Sequence, residues 1–329
     1  RRGNGRMVLP FHRIGNRLIF PGSQHDTLTS HRIKEDPLLF SFFNSTKRRM
    51  AKLRSLRFVA CDLDGTLLDD DNGIGERTLE SIQKLKAVGV DLVLCSGRTD
   101  GFVRAFARQI ETRLPIVSLN GALIRSAEGT TLFEAPLPAE TGHMVLETVK
   151  RHPETAVTLL TPDGALSTSI PLRLPRYLAA WPEEHRRIDD ALMFIDRASM
   201  IVVKGRYTPV QEISVGIAQQ SRGMVERIMY RSKSGSDEYY LELKRWGVHK
   251  GSALRFLAGH LGVPSARFGA IGDYANDIEM CKAAGFAVAM RNGMDDLKQR
   301  ADMVTLQTNN EDGVAEFLDA IRLAQNGGA

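Results

Sequence analysis

The chain is 329 residues long, room for two domains of ordinary size, and its 43% hydrophobic and 25% charged residues are those of a globular protein. The net charge of +5 is uneven: residues 1–57 hold thirteen bases against three acids, and the rest holds 31 bases against 36 acids, so the basic character belongs to one end and the body is mildly acidic. No apolar run reaches the roughly 18–20 residues of a membrane-spanning helix, which excludes a transmembrane reading and any expected membrane partner.

Taken in chain order, residues 1–56 come first, Arg-rich, acid-poor and without periodicity. They read as a targeting-like or disordered extension, with an incomplete N-terminus expected from the missing initiator Met. The expected compartment is the cytoplasm, with import into a mitochondrion or plastid as the alternative. A nucleic-acid-binding arm is the sharper reading of such a charge run. No basic patch with interleaved aromatics follows it, so nucleic acid is not the expected partner.

From Arg57 the pattern becomes regular. "RFVAC" reads as a buried strand, and Thr78 to Val88 as an amphipathic helix closed by Gly89. "DLVLCS" is a second strand, Asp100 is placed to cap a helix through "GFVRAFARQI", and "PIVSLN" is a third strand. The alternation predicts a parallel sheet covered on both faces. The stretch from Glu134 to Leu241 differs, with proline-rich connections, predicted helices over Glu140–Lys150 and Pro209–Gln219, and strand-like runs "AVTLL", "MIVVK" and "YYLEL". The first pattern then resumes with a helix over Lys250–Leu261, strand "RFGAI", a helix over Asn276–Ala284, strand "FAVAM", and helices near Asp295–Arg300 and Gly313–Leu323. The expected fold is α/β: a doubly wound parallel-sheet core over 57–133 and 242–329, interrupted by an inserted α+β module over 134–241. Cys61, Cys95 and Cys281, odd in number and far apart, fit reduced, buried thiols in a reducing compartment.

In an open parallel sheet, ligands bind beyond the carboxyl ends of the strands. Four predicted strands deliver Asp62, Ser96, Asn120 and Asp273 to that edge. Asp62 and Asp64 alternate along "DLDGT", so on an extended segment their side chains can point the same way. Alone, that stretch could be an ordinary Asp/Gly turn. "GDYAND" then adds Asp273, Asn276 and Asp277 after another buried strand. Several carboxylates in one crevice need a cation, and hard oxygen donors in that number suit Mg²⁺, which shares its coordination with a phosphate. Ser96-Gly97 can offer a hydroxyl and a backbone N–H, and Lys250 opens a helix whose free N–H groups favour an anion. Arg98 reads equally as a phosphate partner or a solvated cation.

The order "DLDGT", "LCSGR", "VHKG", "GDYAND" resembles the four signature motifs of the haloacid dehalogenase superfamily of phosphatases, and more narrowly its Cof-like branch with a type IIB cap. The resemblance extends to "LNGALI", "DIEMCKAAGFAVAMRNG" and "ADMVTLQTNNEDGVAEFL" and covers about residues 57–323, weakly in the middle. It implies that Asp62 is a nucleophile, Asp64 a general acid/base whose carbonyl meets the metal, and Ser96 a ligand of the transferring phosphoryl group. It implies that Lys250 pairs with nucleophile and phosphate, and that Asp273 is a metal ligand. Asn276 and Asp277 match positions around metal and phosphate, and Asn120, with Gly121 beside it, and Asn292 match positions lining the site. Gly293 stands where many relatives have Ala, which bears only on Asn292.

Asp64 and Ser96 are 32 positions apart, but Ser96 and Lys250 are 154 apart, so the extra domain fits only in the second gap. There it would lie over the crevice as a lid and read the leaving group. Arg173, Arg176, His185, Lys204 and Arg206 are candidate selectors, each more readily explained as a solvated face. Trp181 and Trp246 read as core or hinge packing. No histidine pair has a metal-like spacing, and His249, beside Lys250, is the one set close to the chemistry.

The expected activity is Mg²⁺-dependent hydrolysis of small phosphomonoesters (sugar phosphates, nucleotides or cofactor precursors) through an aspartyl-phosphate. One alternative is a phosphotransferase or mutase with the same chemistry. Another is a non-catalytic phosphometabolite-binding protein, which would have no use for an acid/base at Asp64. The sequence leaves the oligomeric state open.

Overall fold

The computed structural model describes residues 12–14, 17–19, 47–168, 185–232 and 237–326. The chain divides into two compact units, Arg1–Met50 and Ala51–Ala329. In the first, β1 (His12–Ile14) and β2 (Arg17–Ile19) form an antiparallel pair with His12 opposite Ile19. Most of the basic extension lies outside the described residues. No described helix is long and apolar enough to cross a membrane.

The second unit starts earlier than the sequence pattern. Residues 51–55 are helical, and Leu53 and Leu56 are buried in the main core, because a basic stretch can still carry apolar residues at helical spacing. Then β3 (Phe58–Cys61), α1 (Glu76–Lys86), β4 (Asp91–Leu94), α2 (Asp100–Gln109) and β5 (Ile116–Ser118) alternate as expected. Two short strands follow, β6 (Leu123–Arg125) and β7 (Thr131–Glu134), which make an antiparallel flap with β5. The inserted module comprises α3 (Ala139–Val149), β8 (Ala156–Thr161), β9 (Gly164–Ser167), β10 (His185–Arg187), β11 (Met200–Gly205), α4 (Tyr207–Gln220), β12 (Val225–Arg231) and β13 (Tyr239–Arg245). The chain returns through α5 (Lys250–His260), β14 (Phe268–Gly272), α6 (Ile278–Ala283), β15 (Phe286–Ala289), α7 (Asp295–Arg300), β16 (Met303–Val304) and α8 (Gly313–Asn326).

The core sheet has the order β16-β15-β14-β3-β4, every pair parallel, and β5 joins it through a single bridge between Cys95 and Val117. Its apolar strands sort by period two onto two cores. Val59, Cys61, Leu92, Leu94, Ile271 and Val288 face one, with α1 and α8; Ala60, Val93, Ala270, Ala287 and Ala289 face the other, with α5. All three cysteines are free and buried, and burial pushes the Cys95 thiol up to about 12, so these groups are inert at neutral pH.

Local differences from the pattern have identifiable causes. The α1 helix starts at Glu76, two residues before the expected Thr78, because Asp312 reaches in from the other end of the chain to accept the Thr78 N–H at 3.0 Å. Thr99, not Asp100, is the N-cap of α2; Asp100 is buried in the first turn and pairs with Arg104 at 3.1 Å and Arg125 at 3.3 Å. The expected Asn276–Ala284 helix is a 3₁₀ turn (Ala275–Asp277) followed by α6, since Asp277 folds back onto its own loop.

The inserted module is a second two-layer α/β body. Its sheet, in the order β10-β9-β8-β11-β13-β12, lays Leu159, Ile201, Val203, Leu241 and Leu243 against α3 and α4. The strand β13 runs through Leu241, where the pattern had placed the return to the core. Trp246, expected to pack in the core or at a hinge, is 66% exposed in the turn after β13. Arg173, Arg176 and Trp181 lie outside the described residues.

Candidate active site

The acids converge at the carboxyl edge of β3 and β14. The extended strand stops at Cys61, so Asp62 and Asp64 do not continue it as expected. A turn follows, in which the Leu68 N–H donates to Leu63 O at 2.9 Å and Gly65 takes φ +82°. Asp62 stays at the strand mouth, 4% exposed. Asp64 is carried sideways, and the Arg98 guanidinium grips both of its oxygens, Nε donating to Oδ2 at 2.8 Å and Nη2 to Oδ1. Arg98 also lies over the Phe102 ring, 5.0 Å from its centroid.

Lys250 is fully buried and joins two of the acids. Its Nζ donates to Asp62 Oδ1 at 2.5 Å and to Asp277 Oδ1 at 2.7 Å. The other oxygen of Asp277 accepts the backbone N–H groups of Asp273 and Tyr274, both at 3.0 Å. That fold-back requires Gly272, since a Cβ there would stand 2.4 Å from Asp277 Cγ. Asp277 is thus the brace that fixes both the lysine and the Asp273 loop.

Asp62, Asp273 and Asp277 are all buried, and each offers a carboxylate oxygen within 4.8 Å of the others. Three carboxylates against one ammonium leave two negative charges, and hard oxygen donors with that surplus fit a divalent cation of the Mg²⁺ kind. Burial pushes the Asp62 carboxyl well above the usual carboxylate range, and Asp277 adds to the shift. Burial alone would lower Lys250, but Asp277 and Asp62 together outweigh it and hold the ammonium above its ordinary range.

The second and third motif segments are bound to each other. The Ser96 N–H donates to Val117 O and its own carbonyl accepts the Asn120 N–H, each at 2.9 Å; Ser96 Oγ accepts the Arg98 N–H at 3.2 Å. Leu119, Asn120 and Gly121 adopt φ of +50°, +53° and +96° in succession, a left-handed run that costs about 1–2 kcal/mol at each non-glycine residue. Gly121 is required, because a Cβ there would meet His249 O at 2.7 Å. The run aims the Asn120 amide at two partners: its Oδ1 accepts from Asn276 Nδ2 at 3.0 Å, and its Nδ2 donates to Glu242 Oε2 at 2.8 Å. Gly97 lies against that amide, 3.0 Å from a would-be Cβ. Asn292 is exposed and holds the first motif from outside, Nδ2 donating to Gly65 O at 2.7 Å. His249 caps α5, its Nδ1 accepting the Ser252 N–H at 3.1 Å.

Among the candidate selectors, His185 is half-buried with Nε2 2.8 Å from Ser167 Oγ, Lys204 pairs with Glu238 at 2.9 Å, and Arg206 is exposed at the start of α4. Glu242 and Tyr230, which touch the site from the inserted module, were absent from the sequence-derived set. The available signal was an acid on the alternate face of "YYLEL", between two core leucines.

A parallel sheet interrupted by an inserted α/β module, with acids at its strand ends, is the architecture of a haloacid dehalogenase-type hydrolase. The protein belongs to the haloacid dehalogenase-like hydrolase family, which it matches over residues 59–318. It is similar to the 5-amino-6-(5-phospho-D-ribitylamino)uracil phosphatase YitU of Bacillus subtilis, 30% identical over 79% of this chain and 95% of that one. It is similar as well to the phosphoglycolate phosphatase of Archaeoglobus fulgidus, 28% identical over 80% of this chain and 96% of that one. Among solved structures, a haloacid dehalogenase-like hydrolase from Bacteroides thetaiotaomicron superposes with a TM-score of 0.70 at 28% identity, covering 81% of this chain and 99% of that one. The chain is an enzyme of the phosphatase class.

Proposed function

We propose that the protein is a Mg²⁺-dependent phosphomonoesterase that transfers the phosphoryl group of a small phosphorylated metabolite to Asp62 and then to water. The observation that supports this most is the sealed cluster of Asp62, Asp273 and Asp277 around Lys250 at the strand ends. Asp62, Asp273 and the backbone carbonyl of Asp64 would hold the ion, with Asp277 bracing the set. When bound, Mg²⁺ offsets the negative charge shared by the carboxylates and the phosphoryl oxygens.

The rest follows from the residues. A carboxylate attacks a phosphate dianion only when charge is cancelled nearby, and Lys250, 2.5 Å from Asp62 Oδ1, does this without reorganisation. The Ser96 hydroxyl and the Gly97 N–H would take the incoming phosphoryl oxygens. Asp64 serves the leaving oxygen as acid and the attacking water as base. The Arg98 fork now occupies both oxygens of Asp64, so the guanidinium must turn toward the phosphoryl group to release it. The inserted module (134–241 in the sequence pattern, extended by β13 to Arg245) acts as the cap.

The test is Asp62→Asn. Hydrolysis of p-nitrophenyl phosphate in Mg²⁺ should vanish while the circular dichroism spectrum remains that of the folded chain. Undiminished turnover in that variant rules the scheme out.

A further inference from the structure

The cap sheet has two faces. Leu241 and Leu243 of β13 point into the core with α3 and α4, so Tyr240, Glu242 and Lys244 stand on the opposite face. Through its register, Glu242 lies level with Val202, Thr158 and Ser167 on successive strands. Apart from Val202 that row is polar: Thr158 Oγ1 is 2.7 Å from Ser167 Oγ, which is 2.8 Å from His185 Nε2. Three strand spacings give the row a length of roughly 14 Å.

Glu242 begins the row at the catalytic end. Asn120 Nδ2 donates to its Oε2 at 2.8 Å, and the Tyr230 hydroxyl donates to its Oε1, also at 2.8 Å. Asn120 in turn holds Asn276, one residue from Asp277, so two hydrogen bonds connect Glu242 to the motif that braces Lys250. Tyr230 stacks on Tyr240 at 5.5 Å and meets Tyr274 of the core edge-on at 6.0 Å. The two lysines on this face have acids of their own, Lys204 with Glu238 at 2.9 Å and Lys244 with Glu226 at 3.9 Å. The hydrogen-bond donors to Glu242, by contrast, are neutral, with the buried Lys244 ammonium on the same strand interacting with it only through space. A carboxylate accepts about four hydrogen bonds, so two donors fix its orientation and leave lone pairs for a ligand.

Resting on the phosphatase reading above, we infer that Glu242 is a specificity-determining residue that reads the leaving group. It accepts hydrogen bonds from hydroxyl or N–H groups of the substrate, and the Thr158–Ser167–His185 row extends the same polar track. The substrate class is therefore a phosphate ester of a polyhydroxylated, uncharged or cationic leaving group. An anionic leaving group would offer this carboxylate no donor and set a like charge beside it, so it would be disfavoured.

The experiment compares kcat/KM for sorbitol 6-phosphate, phosphoglycolate and p-nitrophenyl phosphate in the full chain and in Glu242→Gln. Gln keeps the shape and an acceptor for Asn120, so the fold is retained. Wild type should prefer sorbitol 6-phosphate to phosphoglycolate. In Glu242→Gln the ratio of sorbitol 6-phosphate to p-nitrophenyl phosphate should fall by about ten- to a hundred-fold, the usual scale for a lost hydrogen bond to a charged group. Tyr230→Phe, which only loosens Glu242, should move the ratio the same way by less. An equal loss on all three substrates would make Glu242 a support of the lid and overturn the inference; so would an unmoved ratio. Wild type inactive on every ester overturns the phosphatase reading and this one with it.

Discussion

Lys250 Nζ donates to Asp62 Oδ1 at 2.5 Å across 188 residues of sequence, both groups sealed from solvent. The lysine comes from the first turn of α5, after the entire cap has intervened. The pair thus joins the two halves of the core within the site, beside the β3–β14 ladder and the Asn120–Asn276 bond.

Lys250→Met should damage both stability and rate. Removing one partner of a buried ion pair costs about 3–5 kcal/mol, because the remaining charges are left uncompensated. Burial and then Asp277 already hold the Asp62 carboxyl above its ordinary range. A carboxyl raised in the folded state contributes stability below its unfolded pKa and loses it as pH rises. The variant should therefore be weakest relative to wild type at pH 8 and closer to it at pH 5. Urea unfolding at the two pH values measures this; an equal deficit at both contradicts the charge argument. Turnover of an aryl phosphate should fall by about two to three orders of magnitude.

Mg²⁺ should stabilise the fold as well as support turnover. A ligand that binds only the native state, at a hundred times its Kd, adds about 2.7 kcal/mol. The melting temperature should rise with added Mg²⁺ and return with a chelator. Asp273→Asn should abolish most of that rise, since a neutral amide cannot replace the charge. A melting temperature indifferent to Mg²⁺ in wild type would show that the carboxylate cluster is not a cation site.

His249 supplies a pH-dependent contribution. Burial lowers its imidazole pKa, and its Nδ1 must be unprotonated to accept the Ser252 N–H at 3.1 Å. For a histidine lowered in the folded state, the unfolded chain binds the proton first as pH falls. Its contribution is present above the unfolded value of about 6.5 and fades below it. His249→Asn keeps a capping oxygen without the titration. Wild type should lose more stability than His249→Asn between pH 7.5 and pH 5; His185, lowered by burial too, acts equally in both proteins and cancels.

How much of this was legible in the sequence depends on distance along the chain. The strand ends bearing Asp62, Ser96, Asn120 and Asp273 could be read because each of these polar residues directly follows its own apolar run. The fold followed from the same runs, since alternation with helices leaves few topologies open. Other features depend on partners that local pattern does not contain. Arg98 gave no sign that it grips Asp64, and Asp277 none that Gly272 lets it brace Lys250. Glu242 could be placed on the open face of a strand, but not opposite Asn120, 122 residues earlier. Trp246, read as core or hinge packing, stands 66% exposed in the turn after β13, because the exposure of a turn residue depends on neighbours that local pattern does not contain.

The Asp312 cap is the most distant of these and can be tested cleanly. Its Oδ1 accepts both the Thr78 N–H at 3.0 Å and the Thr78 hydroxyl at 2.6 Å, so a residue from the entrance of α8 satisfies the first turn of α1. Asp312 also sits at φ +61°, a conformation that Asn tolerates, Gly adopts freely and Ala resists. Asp312→Ala loses the acceptor and gains backbone strain, so it should cost about 2–3 kcal/mol when the usual values for a cap and for a left-handed residue are combined. Asp312→Gly loses only the acceptor and should cost about 1–2 kcal/mol. Asp312→Asn keeps both an acceptor and the conformation, and should cost least. Urea midpoints in the order Asn, Gly, Ala, with unchanged m-values, would confirm a cap supplied from 234 residues away. If Gly proves as harmful as Ala, backbone conformation plays no part and the side-chain contact accounts for the whole effect.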